Sequence, residues 1–330
     1  MNDFQRFLLK RAAVTVVLAV AAVTVIFVIL RAAPGTPYSR LLVSTQLEPE
    51  QVAALKSQYG LDEPLYVQYF DYVRSLLTLQ LGVSIKTGNP VWETLKPKLI
   101  NSLILLVPAL LTTAVLSSLL GMYIGWKRGS LLERVSIFLG TTFRSTPIFI
   151  TGIALLMIFA YGLGWFPVFG MHDPVASPET WQERYLSLDF LHHYVLPFTT
   201  ATLVYSGDFL MLARNGVVEK RGASFLRLHR AKGLSETEQL LRAGRNSMLP
   251  LVTYFAVRMG MIVKGLVLLE VVFAWPGIGR QLILSIVQQD YPVVQGVVFV
   301  MALSVILSNL LADIIYGYFD PTVSVGVESL

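Results

Sequence analysis

None of the 330 residues is a cysteine, so a disulfide framework and a thiolate metal site are both excluded. Charge is scarce as well. Asp, Glu, Lys and Arg make up 14% of the chain, where a soluble domain carries about a quarter. No G-x-x-x-x-G-K-[ST] stretch occurs, so the chain holds no phosphate-binding loop of that kind. Only four histidines are present, His172, His192, His193 and His229, and none has carboxylate spacing diagnostic of a metal site. No Ser/His/Asp or paired-carboxylate arrangement points to hydrolysis, and no motif supports intramembrane proteolysis.

What is abundant is apolar surface, at 54% hydrophobic residues. A bilayer-spanning helix needs about 20 mainly apolar residues. Candidate runs are Ala12–Leu30, Leu103–Gly125, Ile137–Tyr161, Val195–Ala213, Leu251–Phe273 and Val293–Tyr316. Six spans place both termini on the same side. The first run, 19 residues long, exceeds the roughly 7–15 apolar residues of a cleaved signal and is expected to remain as an anchor.

The net charge of +5 is explained by location. Lys127, Arg128 and Arg134 join spans two and three. Arg214, Lys220, Arg221, Arg227, Arg230, Lys232, Arg242 and Arg245 join spans four and five, whereas the alternate loops hold only Arg184 and Arg280. Basic loops are cytoplasmic, and Arg6, Lys10 and Arg11 before the first span agree. Topology accounts for the basicity, and no nucleic-acid partner is expected.

Residues 31–102 form an outside segment too long for a simple connector. "EPEQVAALKSQYG" opens with Glu48-Pro49-Glu50 and stops at Gly60, and "LDEPLYVQYFDYVRSLL" places Asp62 as an N-cap with Pro64 just inside. A helical extracytoplasmic cap follows. It either packs over the pore mouth or docks an outside partner.

The most distinctive stretch is "FLRLHRAKGLSETEQLLRAGRN", residues 225–246. Its first part favours helix, Gly233 is placed to end that helix in a left-handed conformation, and Ser235 with Glu238 forms an S-x-x-E capping box. The loop therefore reads as helix, glycine break, helix. Phe225, Leu226 and Leu228 are expected to be poorly buried in such a loop. Two readings follow: an amphipathic hairpin on anionic headgroups, or a short helix docked in a groove on another protein.

Charges inside spans are functional candidates. Asp208 lies in span four, Arg258 and Lys264 in span five, Glu270 near its outer end and Asp313 in span six. Arg258 is expected to snorkel to the cytoplasmic surface. Lys264 is about 15 Å from either end, and is expected to pair with Asp208 or Asp313 or else to line a pathway. Trp165, Phe166, Tyr194, Trp275 and Tyr291 fall at span ends, as an interfacial belt requires.

Five ordered stretches now carry a resemblance: "PGTP" at 34–37, "YGLDEPLYVQYFDYV" at 59–73, "LGVSIKTGNPVWE" at 81–93, "RNGVVEKRGASFLRLHRAKGLSETEQLLRAGRNSMLP" at 214–250, and "EVVFAWPGIGRQLILSIVQQDYPVVQG" at 270–296 with "NLLADIIYGYFDP" at 309–321. Together they resemble the ABC-importer permeases of the dipeptide/oligopeptide/nickel branch, and the B-type subunit best. The resemblance covers essentially the whole chain. It implies an all-α polytopic membrane protein of the prokaryotic plasma (inner) membrane, with both termini cytoplasmic, in contact with membrane lipid. Residues 1–98 are then the first span and cap, and residues 99–330 the permease domain with its coupling loop at 214–250.

The resemblance also implies partners: a second homologous permease subunit, two ABC ATPase subunits and an extracytoplasmic substrate-binding protein. The chain itself is a transport subunit and not an enzyme. It needs no cofactor of its own, because ATP and Mg are bound by the partner ATPases. Coupling to them is expected of Arg214, Glu219, Phe225, Arg230, Ala231, Lys232, Gly233 and Ser235. Glu270, Trp275, Pro276 and Gly277 match the family's outer-gate stretch, where a structural role for Glu270 is favoured over substrate contact. Expected substrates are di- or oligopeptides, with oligosaccharides, nickel chelates or glutathione as alternatives within the class. Two readings outside it remain: a secondary transporter working without an ATPase, and a membrane scaffold with no pore.

Overall fold

The computed structural model describes residues 3–32, 63–176 and 178–319. Among these residues all regular structure is helical, apart from one isolated antiparallel bridge between Val83 and Pro90. The helices are α1 (Asp3–Ala32), α2 (Leu65–Leu77), α3 (Val91–Thr112), α4 (Ser118–Trp126), α5 (Leu131–Ser145), α6 (Ile148–Leu155), α7 (Trp181–Leu186), α8 (Leu188–Lys220), α9 (Ser224–Ala231), α10 (Glu236–Arg245), α11 (Met248–Val272), α12 (Ile278–Gln288) and α13 (Tyr291–Phe319). A π-helical turn, Thr113–Ser117, joins α3 to α4, and a second, Leu156–Gly162, extends α6.

Among the described residues four helical runs are long and apolar enough to cross a membrane: Leu9–Ile29, Val91–Trp126, Leu188–Lys220 and Tyr291–Ile314. A fifth exists if the pair Leu131–Ser145 and Ile148–Gly162 is one span. The expected run Leu251–Phe273 falls on the 25-residue α11, whose residues 260–266 have side chains outside those described.

The expected third span, Ile137–Tyr161, is not one helix. It bends by 111° between α5 and α6. Pro147 is the cause, because proline has no N–H and its ring bars the preceding residue from the helical region. Thr146 is accordingly extended, at φ −87° and ψ 128°.

Prolines elsewhere are absorbed. Pro108 lies inside α3 and leaves the carbonyl of Ile104 without its helical donor. The Tyr194 hydroxyl donates to that carbonyl at 3.0 Å. Tyr194 is thus a brace between α8 and α3 rather than a member of an interfacial belt.

Helix α8 is the central post. Gly121 and Gly125 bring α4 so close that a Cβ on Gly125 would lie 2.7 Å from the Arg214 carbonyl oxygen, the small-x-x-x-small packing of membrane helices. The largest core cluster joins α3, α8 and α11 through Leu105, Ala109, Phe190, Leu196, Leu269 and Phe273. A second, with Val91, Leu95, Ile278, Val293 and Val297, joins α3, α12 and α13.

In the segment expected to form the cap, α2 begins at Leu65 with Pro64 in the N-cap position. Asp62 and the stretch 48–60 lie outside the described residues. Helix α2 rests on α1, where the Tyr69 and Thr24 hydroxyls meet at 2.7 Å and the Phe27 and Tyr69 rings at 5.4 Å.

Candidate functional site: the loop hairpin and the charged interior

Between the end of α8 and the start of α11 the chain forms the expected hairpin. Helix α9 ends at Ala231. Gly233 is left-handed at φ +78°; its N–H donates to the Arg230 carbonyl at 3.0 Å, and Leu234 N–H to the His229 carbonyl at 3.2 Å. That pair is a Schellman-type stop. The capping box is complete: Ser235 Oγ accepts from Glu238 N–H at 3.3 Å, and Glu238 Oε2 accepts from Ser235 N–H at 2.8 Å. Hydrogen bonds from the Ser235 hydroxyl and backbone hold the Glu238 carboxyl below the usual carboxylate range.

The hairpin is fastened to its own chain. Leu226, expected to be poorly buried, is 1% exposed and packs with Trp126, Val217 and Ala243, and Phe225 is partly covered beside it. The cause is tertiary: the ends of α4 and α8 supply an apolar seat that the loop alone lacks. Lys127 Nζ reaches Glu236 at 2.9 Å, and its hydrogen bond holds the Glu236 carboxyl low. The Arg221 guanidinium lies over the Trp126 ring at 5.5 Å. What remains on the outside is the tip. Arg230, Ala231, Lys232, Gly233 and Ser235 are exposed, as is Leu228 at 54%.

Besides Phe225 in the seat, two of the expected coupling residues lie away from that tip. Arg214 is still inside α8, and its Nε and terminal nitrogen reach Glu133 Oε1 at 2.9 and 2.6 Å. Glu133 is buried and also accepts from the Gly129 N–H. Arg214 therefore clamps α8 to the start of α5. Glu219, in the last turn of α8, faces solvent and pairs with Lys220 at 2.8 Å.

At the far end of α11 from the hairpin, Glu270 is fully buried. Its carboxylate accepts from Ser102 Oγ at 2.6 Å and from Arg280 N–H at 2.9 Å, and Ser102 Oγ accepts from Ile278 N–H at 2.9 Å. Trp275 is also fully buried, which corrects its expected place in an interfacial belt; its indole donates to the Asn101 carbonyl at 3.1 Å. Asn101 Nδ2 donates to the Pro276 carbonyl at 2.9 Å. A Cβ on Gly277 would collide with the Glu270 carboxyl. Glu270, Trp275, Pro276 and Gly277 thus form one knot pinning the α11–α12 corner to α3. Asn101, Ser102 and Tyr185 complete it, and nothing in their local sequence marks them.

The interior charges pair differently from expectation. Asp208 takes Arg144 Nε at 2.7 Å, the Arg258 guanidinium and the Tyr254 hydroxyl. Arg258 turns inward to this aspartate and does not snorkel. Asp313 meets Arg11 at 3.3 Å. Both carboxylates proposed for Lys264 already face arginines, and the Lys264 side chain lies outside those described. Arg144 was legible as a lone charge in the third apolar run, three residues before Pro147, but its partner is 64 positions away and no local pattern names it.

Residues 117–325 match the family described as the binding-protein-dependent transport system inner membrane component, and residues 4–105 match its N-terminal component. The chain belongs to this family. It is similar to the dipeptide transport system permease protein DppB of Escherichia coli (strain K12), at 32% identity over 96% of this chain and 98% of that protein. It is also similar to the di/tripeptide transport system permease protein DppB of Pseudomonas aeruginosa (strain UCBPP-PA14), at 34% over 90% and 92%. The glutathione transport system permease protein GsiC of Salmonella choleraesuis is 30% identical over 96% and 98%. This permease is accordingly a multi-pass transport subunit of an ABC importer, not an enzyme. It works with an ATPase and a substrate-binding protein.

Proposed function

We propose that this permease forms half of the translocation pathway of an ATP-driven importer for di- and oligopeptides. It pairs with a second homologous permease, two ATPase subunits that bind ATP and Mg, and an extracytoplasmic substrate-binding protein. Six spans in a prokaryotic inner membrane leave both termini cytoplasmic, with the helical cap outside.

The observation that carries this reading is the hairpin. It is stopped by a left-handed glycine, restarted by a capping box, and seated on α4 and α8 through Leu226. A lever of this kind transmits a push on its exposed tip to the helices of the path. The tip offers Leu228, Arg230, Ala231, Lys232 and Gly233 to a groove on the ATPase. The knot around Glu270 is the corresponding fixed corner of the outer gate. The peptide substrate is supported by similarity to the dipeptide and di/tripeptide permeases.

The test is purification of the chain with its associated subunits, followed by uptake in proteoliposomes. Retention of two ATPases and a sister permease, with ATP-dependent peptide uptake, is expected. ATP-dependent uptake of glutathione but not of other peptides would move the substrate assignment, and uptake without any ATPase would end the importer reading. Reporters fused after Gly170 and after Ser235 should lie outside and inside respectively; both on one side would overturn the topology.

A further inference from the structure

The charged cluster on α5, α8 and α11 sits within three of the apolar runs. Asp208 is twelve residues from the cytoplasmic end of α8, or about 18 Å. Arg258 is ten residues from the start of α11, or about 15 Å. Arg144 is thirteen residues into α5, or about 20 Å. Within the apolar runs 137–161, 195–213 and 251–273 the three lie five to seven residues, or about 8–11 Å, from the ends that carry the basic loops.

Among the described residues the cluster does not balance. Two guanidinium groups, Arg144 and Arg258, share the single carboxylate of Asp208. Asp208 is saturated: Oδ1 meets Arg144, while Oδ2 takes both Arg258 and the Tyr254 hydroxyl. Arg258 is further enclosed by the Tyr205 and Tyr254 rings at 5.8 and 5.1 Å. Arg144 is the open member. Only its Nε is engaged among the described residues, and its side chain is 56% exposed against 10% for Asp208. Its backbone is held by the close crossing of Gly140 and Gly207.

The second observation is the break itself. Arg144 precedes the 111° bend at Thr146–Pro147, and Ser145 and Pro147 beside it are exposed. Interrupted backbone at membrane depth persists only where it is covered by protein or lines a water-filled cavity, and an intramembrane cation obeys the same restriction. In secondary transporters, broken helices mark ligand sites, and anionic groups settle where a half-helix begins. Here α6 begins four residues after Arg144.

We propose that Arg144, oriented by Asp208 at the broken helix, is a carboxylate-binding waypoint of the translocation path, engaging the C-terminal carboxylate that every linear peptide carries. The inference rests on the peptide reading above. Asp208 fixes the guanidinium through Nε and leaves its two terminal nitrogens as a fork matching a carboxylate. Because the contact is made to the terminus, it is blind to side chains, as a path for many different peptides requires. A single exposed arginine also releases its guest more readily than a closed pair of cations.

The test uses the complete importer in proteoliposomes with its binding protein and a radiolabelled pool of di- and tripeptides. Arg144→Gln should lower uptake about tenfold, the scale of one lost charge-assisted hydrogen bond. Arg144→Lys should keep a substantial part of it, and binding-protein-stimulated ATP hydrolysis should stay near wild type in both. Uptake by Arg144→Gln within twofold of wild type would overturn the waypoint and leave the peptide importer standing. So would Arg144→Lys falling as far as Arg144→Gln, which marks a brace and not a charge. Loss of the second permease from the Arg144→Gln complex would assign the carboxylate to that subunit and also overturn the proposal. A wild-type importer that takes up no peptide would instead remove the reading on which the waypoint rests.

Discussion

Replacing Gly233 isolates the mechanical role of the hairpin, because the local geometry separates backbone strain from crowding. Gly233 has φ +78°, and a Cβ built there meets nothing within 4 Å. The cost of a substitution is therefore conformational alone. An alanine in the left-handed region costs on the order of 1–2 kcal/mol, asparagine tolerates that region and costs less, and a β-branched valine sits at the upper end of ~1–3 kcal/mol. Since about 1.4 kcal/mol is a factor of ten in an equilibrium, valine should populate hairpins in which α9 and α10 no longer share one frame. The apolar spans are untouched, so membrane levels should remain normal. The assay is ATPase pull-down with peptide-stimulated ATP hydrolysis in proteoliposomes. Hydrogen exchange over residues 224–245 reports the frame itself. The expected order of coupling is Gly, Asn, Ala, Val. Full protection and full stimulated hydrolysis in Gly233→Val would refute the claim that the turn transmits force as a rigid body.

Ser235→Ala removes the N-cap acceptor and should cost about 1 kcal/mol, read as faster exchange at the start of α10 with coupling only mildly reduced. The pH dependence has a definite sign: the folded Glu238 carboxyl titrates below its ordinary value, so its stabilisation is fully present above that ordinary value and fades as pH falls through the folded one. Protection of α10 should weaken on acidification in wild type, and Glu238→Gln should flatten that dependence. Leu226→Ala empties the seat between Trp126, Val217 and Ala243 at about 2–5 kcal/mol; it should lower coupling with the tip residues unchanged, measured by the same pull-down. Ala231→Glu, on the exposed tip, should leave membrane levels normal and release the ATPases. At the knot around Glu270, Gly277→Ala must displace the Glu270 carboxyl, and thermal stability of the purified subunit should drop while the hairpin's exchange stays as in wild type.

Periodicity and punctuation made the helices legible. A glycine followed two residues later by Ser-x-x-Glu dictates a stop and a restart whatever surrounds it, because the hydrogen bonds involved are local; α9, Gly233 and α10 follow directly. Long apolar runs likewise announced α1, α3–α4, α8 and α13, since their burial in lipid depends on composition and length. Pro147 was visible too, but whether a proline kinks or breaks a helix depends on what covers the freed backbone. Only the packing of α5 and α6 decided that. The seating of Leu226, the inward turn of Arg214 to Glu133, and the burial of Trp275 against Asn101 were likewise decided by residues distant in the chain. The charge pairs show the division most clearly. Sequence named Asp208, Arg258 and Asp313 as costly interior charges, because any charge in lipid is costly. It could not name their partners, because pairing depends on distances between helices. The crossing of α5, α8 and α11 brought two arginines to Asp208, and that same crossing left Arg144 open beside the broken helix.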